Sequence, residues 1–159
     1  MHRAGRAWPV DLRQIFDDLV RFETDLWNGI DARLRQECEV TLGGLNVLLV
    51  VEREGSCRVN DIAAALSITV GGASQAVDRL EKLGHCIRRP HPADRRSSIV
   101  ELTAAGRELV ARAGPVFDRE LATRLGAPLP DTALGHLANA LAVLRASAAP
   151  SPTPLTKET

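Results

Sequence analysis

From Pro9 to Glu37 apolar residues recur in steps of three and four, at Leu12, Ile15, Phe16, Leu19, Phe22, Leu26, Trp27, Ile30 and Leu34. That period predicts one long amphipathic helix, with Pro9 suited to its first position. A stripe of this length needs an equally long apolar surface to cover it. Thr41 is expected to cap a second helix, ending at Glu54-Gly55, in which Leu45, Val47, Leu48, Val50 and Val51 crowd so closely that it must be central.

The "CRV" at 57–59 is too short for more than a single bridge of strand. Asn60 is a plausible cap for a short helix "DIAAALS", and Thr69 for the next, "TVGGASQAVDRLEKL", running to Gly84. Two short helices separated by "SIT" have the spacing of a helix-turn-helix. "HCIRRP" and "SSIVEL" then flank the polar loop "HPADRR", which predicts a β-hairpin. Thr103 should cap a long helix that Pro115, preceded by Gly114, bends. A last helix is expected from Asp131 to Ala146, with Leu134, Leu137, Leu141 and Leu144 on one face.

The expected fold is therefore mainly α with a small β-hairpin wing. A winged helix-turn-helix lobe spans 41–102, a helical dimerisation region comprises 9–37 and 103–146, and 147–159 form a Pro/Ser/Thr tail expected to be disordered. The stripes on the first and last helices exceed what the chain's own core can absorb. A two-fold copy of the same chain is the economical partner.

A chain of 159 residues with 45% hydrophobic content suits one domain with helical extensions. No apolar run reaches the roughly 18–20 residues that span a membrane, and "MHRAGRAWP" lacks the apolar centre of a signal peptide, so a cytoplasmic location is expected. Cys38, Cys57 and Cys86 are odd in number and lack motif spacing, which argues against a disulfide framework. The net charge of zero hides an asymmetry. Residues 9–56 hold five arginines against ten carboxylates, whereas 69–100 hold five arginines and Lys82 against Asp78, Glu81 and Asp94. The basic block is suited to facing a polyanion, although charge runs are commonly just solvated faces.

Three segments resemble the MarR family of winged helix-turn-helix transcriptional regulators: "LGGLNVLLVV" at 42–51, "DRLEKLG" at 78–84 and "RRPHPADRRSSIVELTAAGRELV" at 88–110. Within the last, an Asp, an Arg two residues on, then Val-x-Leu-Thr running into a helix fit the family's wing pattern. The resemblance covers roughly residues 10–146. It implies a homodimer with intertwined terminal helices, double-stranded DNA as partner, a pseudo-palindromic operator, repression as the usual mode, and release by a small molecule or by cysteine oxidation.

In the helix at 70–82, Ala73, Ala76, Val77 and Leu80 are expected inward. Thr69, Val70, Gly71, Gly72, Ser74, Gln75 and Arg79 are then the candidate recognition residues. Gln75 can bond adenine through two hydrogen bonds, Ser74 serves several bases, Val70 can touch a thymine methyl and Arg79 suits a phosphate. Gly71 and Gly72 cannot read bases, so they favour close approach of the helix N-terminus to the groove. The wing candidates are Arg88, Arg89, Asp94, Arg95, Arg96 and Ser97. By resemblance, Asp94 pairs with Arg96 and presents it to the minor groove, with Arg95 on the backbone. Arg88 and Arg89 at the wing base suit a phosphate contact or ordinary strand-surface charge equally.

An effector pocket is implied near Trp27, Ile30, Asp31 and Leu34, where an indole beside polar groups suits a flat aromatic ligand. The alternative for Trp27 is a core anchor. Cysteine sensing competes as the switch, but Cys38 lies between Glu37 and Glu39, and Cys57 and Cys86 look like wing-strand residues. His85, Cys86 and His91 lack metal-motif spacing, so no metal or other cofactor is expected. No nucleophile–base or paired-carboxylate arrangement stands out, so no enzymatic activity is expected. A winged-helix module used only for protein contacts is a further alternative. The operator, the regulated genes, the effector and the sign of regulation are not legible.

Overall fold

The computed structural model describes residues 8–148, with the side chains of Arg95 and Arg96 outside the described set. The helices are α1 (Leu12–Cys38), α2 (Leu42–Glu54), α3 (Val59–Leu66) and α4 (Val70–Lys82). Strands β1 (Cys86–His91) and β2 (Asp94–Leu102) follow, then α5 (Ala104–Leu121), a π-helical turn (Ala122–Gly126) and α6 (Asp131–Ala148). The mainly helical architecture with one hairpin agrees with the expected winged helix-turn-helix.

Several boundaries differ from the sequence reading for local reasons. Helix α1 starts after Asp11, whose carboxylate accepts from the Arg13 amide, so Pro9 precedes the helix instead of opening it. Helix α3 is capped from Arg58, not Asn60, because the Asp61 carboxylate accepts from the Arg58 amide at 2.9 Å. Most of "HPADRR" is strand: β1 extends to His91, β2 begins at Asp94, and only Pro92 and Ala93 turn. As expected, Pro115 lies inside one long helix, α5. Ser147 and Ala148, expected in the tail, close α6, while residues 149–159 lie outside the described residues.

The core forms where α2 meets α1, α3, α4 and β2. Leu45, Leu48 and Val51 of α2 are fully buried with Leu34, Ile62, Val77 and Val100. Each such side chain contributes about 1.5–3 kcal/mol relative to exposure, so α2 is the keystone of this unit. Cys57 adds one residue of a third strand, exchanging both backbone hydrogen bonds with Val100 at 3.2 and 2.8 Å.

Threonine caps open three helices in the same way. The hydroxyls of Thr41, Thr69 and Thr103 accept from the amides of Gly44, Gly72 and Gly106 at 2.9, 3.0 and 3.0 Å. The Thr103 hydroxyl also donates to the Gly84 carbonyl at 2.6 Å. Gly84 takes φ +77° and ends α4 with two bonds, Gly84 N–H to Glu81 and His85 N–H to Leu80. That turn aims the chain into β1 and seats the start of α5 against it.

The described residues divide into two compact units, 8–120 and 121–148. In the first, α1 is exposed from Leu12 to Asp25, and only Ile30, Leu34 and Cys38 of α1 are buried. In the second, the π-helical turn contacts α6, none of whose residues is buried.

Candidate nucleic-acid interface

Helix α4 buries Ala73, Val77 and Leu80 and leaves Val70, Gly71, Gln75, Asp78 and Arg79 exposed, with Ser74 half-buried. The spacing of the buried residues turns the candidate recognition positions to one outer face. Thr69 is the cap itself. The adjacent glycines have different surroundings. A Cβ on Gly71 would meet nothing within 4 Å, whereas one on Gly72 would press the Thr69 hydroxyl at 3.1 Å. Gly72 therefore serves the cap, and Gly71 alone offers an open approach to the helix N-terminus. Gly71→Ala should keep the fold intact, with up to about 0.5–1 kcal/mol of added stability. DNA affinity should fall in a fluorescence-anisotropy titration, and tighter binding would refute close approach.

The hairpin pairs antiparallel from Cys86↔Leu102 to Pro90↔Ser98, with an irregularity between Pro90 and His91 before His91↔Asp94. Two bonds shape its end: His91 Nδ1 accepts from the Ala93 amide at 3.1 Å, and the Ser97 hydroxyl donates to the Asp94 carbonyl at 3.2 Å. Arg95 and Arg96 have their backbone in β2, while the orientation of their side chains lies outside the described residues.

The two arginines at the wing base are engaged within the protein. Arg89 pairs with Glu101 across the strands at 2.9 Å. Arg88 pairs with Glu81 and Asp78 of α4, both at 2.6 Å. The Arg88 amide also donates to Glu81 at 2.8 Å, and its guanidinium to the Ser74 carbonyl at 3.4 Å. These bonds from Arg88 hold the Glu81 carboxyl below the usual carboxylate range. For Arg88, burial works against the charge but the two carboxylates outweigh it and raise its pKa. This charge pairing carried no sequence signal, since nothing local distinguishes Arg88 from Arg95.

Behind α4 lies a cavity of about 510 Å³, within the usual size for small-molecule sites. Its walls include Trp27, Asp31 and Arg35 of α1, Thr41 and Gly43 at the start of α2, Ile68 before α4, and Ala76, Arg79, Leu80 and Leu83 at its end. The Trp27 ring lies 4.0 Å from where a Cβ on Gly43 would stand, and Trp27 is 43% exposed, so it is a wall and not a core anchor. Ile30 and Leu34, expected beside it, are instead core residues at 2% and 0% exposure. At three and seven residues from Trp27 they share its side of the helix, but they lie further along α1, where it packs into the core against α2.

Asp31 accepts from the Leu42 amide at 2.7 Å and from Arg35 at 2.6 Å, joining α1 to the start of α2. Burial opposes its ionisation, but these two donors prevail and hold its carboxyl below the ordinary value. His85 also lines the cavity, and its Nδ1 is buried without a hydrogen-bond partner. Sequence reasoning missed Arg35, Arg79 and His85 as cavity residues because they come from three separate segments.

All three cysteines are buried free thiols. Burial, with nearby carboxylates, pushes Cys57 and Cys86 up to about 11. Among the described residues, no group of three or more His, Cys, Asp and Glu could hold a metal ion. No helix among them is long and apolar enough to cross a membrane.

A helix-turn-helix whose second helix ends against a two-stranded hairpin defines the winged-helix class. Residues 40–97 match a family model described as "MarR family". Over that segment the chain is similar to the MarR family. It is 30% identical over 78 residues to the HTH-type transcriptional regulator BilQ of Clostridium symbiosum, covering 49% of this chain and 54% of that one. The chain spans about half the length of the curated relatives it matches. Sco3205, a MarR family regulator from Streptomyces coelicolor solved in complex with DNA, superposes with a TM-score of 0.85 at 21% identity, covering 94% of this chain and 96% of that one. Bordetella bronchiseptica BpsR, whose DNA binding is regulated by 6-hydroxynicotinic acid, superposes at 0.72 with 23% identity, covering 83% and 98%.

Proposed function

We propose that the protein is a homodimeric, sequence-specific DNA-binding transcriptional regulator, acting as a repressor on a pseudo-palindromic operator. The observation that carries this reading is the outward face of α4, with Val70, Gly71, Ser74 and Gln75 beside a hairpin bearing Arg95 and Arg96. Such an arrangement serves the major groove with the helix and the adjacent backbone or minor groove with the wing. Dimerisation is supported by the uncovered stripe on α1, where Leu12, Ile15, Phe16, Leu19 and Phe22 are all exposed, Phe16 at 69%. Leu141, Val143 and Leu144 of α6 are likewise exposed. Apolar faces of this extent mark association surfaces.

Release by a small aromatic effector is supported by the cavity, since α4 forms one of its walls beside Trp27. A ligand that binds it better in one position of α4 shifts the population toward that position. Thiol oxidation is the less supported switch, because a sensor needs an accessible thiolate and these thiols are buried.

The test is selection of duplexes from a random-sequence library by the full chain, followed by anisotropy titrations at several salt concentrations. The expected result is an enriched inverted repeat with half-sites about one helical turn apart and affinity falling steeply with salt. Failure to enrich any sequence, with salt-insensitive behaviour, would favour a protein-interaction module instead.

A further inference from the structure

We propose that Arg88 is a positioning residue that fixes the angle of the wing to the recognition helix, and not a contact to DNA; this rests on the DNA-binding reading. Its guanidinium and amide grip three successive turns of α4, at Glu81, Asp78 and the Ser74 carbonyl. Seven residues separate the first of these contacts from the last, so the grip runs about 10 Å along the helix. A side chain held at that many points cannot swivel without losing several charge-assisted bonds.

The geometry explains why the wing base needs such a fastening. From Arg88 to the turn at Pro92 and Ala93 the hairpin extends about 15 Å, taking about 3.3 Å per residue. A rotation of about 8° at the base would then move the tip by about 2 Å, more than a hydrogen bond tolerates. Cys86 supplies the other anchor of the same strand, its thiol 3.7 Å from the Val77 carbonyl. Two residues apart, Cys86 and Arg88 project from the same face of β1 toward α4, Cys86 buried and Arg88 part-exposed. Arg88 also neutralises the two carboxylates of α4 that would otherwise repel a polyanion beside it.

The test compares Arg88→Lys and Arg88→Ala with the wild type as full chains. The probes are the library-selected duplex and a scrambled duplex, titrated at several salt concentrations. Lysine keeps the charge but lacks the planar fork that bridges both carboxylates. For Arg88→Lys we expect affinity for the selected duplex to fall about 10-fold or more, scrambled-duplex affinity to change less than about 3-fold, and the salt slope to stay that of the wild type. A phosphate contact predicts the opposite: near wild-type binding by Arg88→Lys, and in Arg88→Ala an equal loss on both duplexes with a slope shallower by about one per protomer. That pattern, or unchanged binding in both variants, would overturn the proposal.

Hydrogen exchange on the DNA-free protein separates this from failure of the DNA reading itself. Amides of β1 and β2 should exchange about 10-fold faster in Arg88→Lys, while those of α2 keep wild-type protection. Unchanged hairpin protection would overturn the positioning role even if the wild type selects an operator. Loosened wings in a protein that selects no sequence would leave the fastening standing and remove its DNA role.

Discussion

Arg96→Ala is expected to reduce affinity for the selected operator by roughly 30- to 1,000-fold, or about 2–4 kcal/mol over the two wings of a dimer. The resemblance assigns Arg96 to the minor groove. The structure adds that Arg88 and Arg89 are engaged within the protein by Asp78, Glu81 and Glu101, so the prediction for the wing rests on Arg96 as the resemblance places it. A narrow, A·T-rich groove concentrates negative potential, which a guanidinium meets without base-specific geometry. The loss should be larger on A·T-rich flanks than on G·C-rich ones in anisotropy titrations. Circular dichroism and sedimentation should match the wild type. Unchanged operator affinity would remove the wing from the binding surface.

Gly106→Ala should be the most damaging glycine-to-alanine substitution among the described residues. Gly106 lies in the first turn of α5 and is buried. A Cβ there would collide with the His85 carbonyl oxygen and stand 2.9 Å from its carbonyl carbon. The atoms in the way are backbone, held by the Thr103 amide at 3.2 Å and by the α4-terminating turn at Gly84, so they cannot step aside cheaply. Overpacking of this kind costs about 1–3 kcal/mol, which for a chain of this size corresponds to roughly 3–10 °C in Tm. Thermal denaturation at constant protein concentration measures it. A Tm equal to the wild type would mean that α5 can lift away from the turn without penalty.

The two substitutions probe opposite kinds of residue. Arg96 was singled out by the resemblance of its hairpin to a known wing pattern. Gly106 had no signal in the chain, since an "AAG" at a helix start reads as an ordinary weak position until the His85 carbonyl is found against it. The same contrast separates the caps. Thr41, Thr69 and Thr103 could be placed from sequence because a cap joins residues three apart. Arg58 was missed because its cap depends on the Asp61 carboxylate instead of its own side chain. Trp27 and Leu34 belong to one stripe, yet one lines a cavity and the other is fully buried, and only the position of α2 separates them.

Local order alone determined the succession of helices, the helix-turn-helix spacing, the hairpin after it and the surplus of apolar surface on α1. Those features follow from periodicity, capping and turn chemistry, which act within a few residues. Tertiary structure decided which charges are spent inside the protein and which remain for a partner. Arg88 lies seven residues from Glu81, and Asp31 eleven from Leu42. Partners at such separations meet only after the intervening chain has folded, so no window of sequence could have paired them.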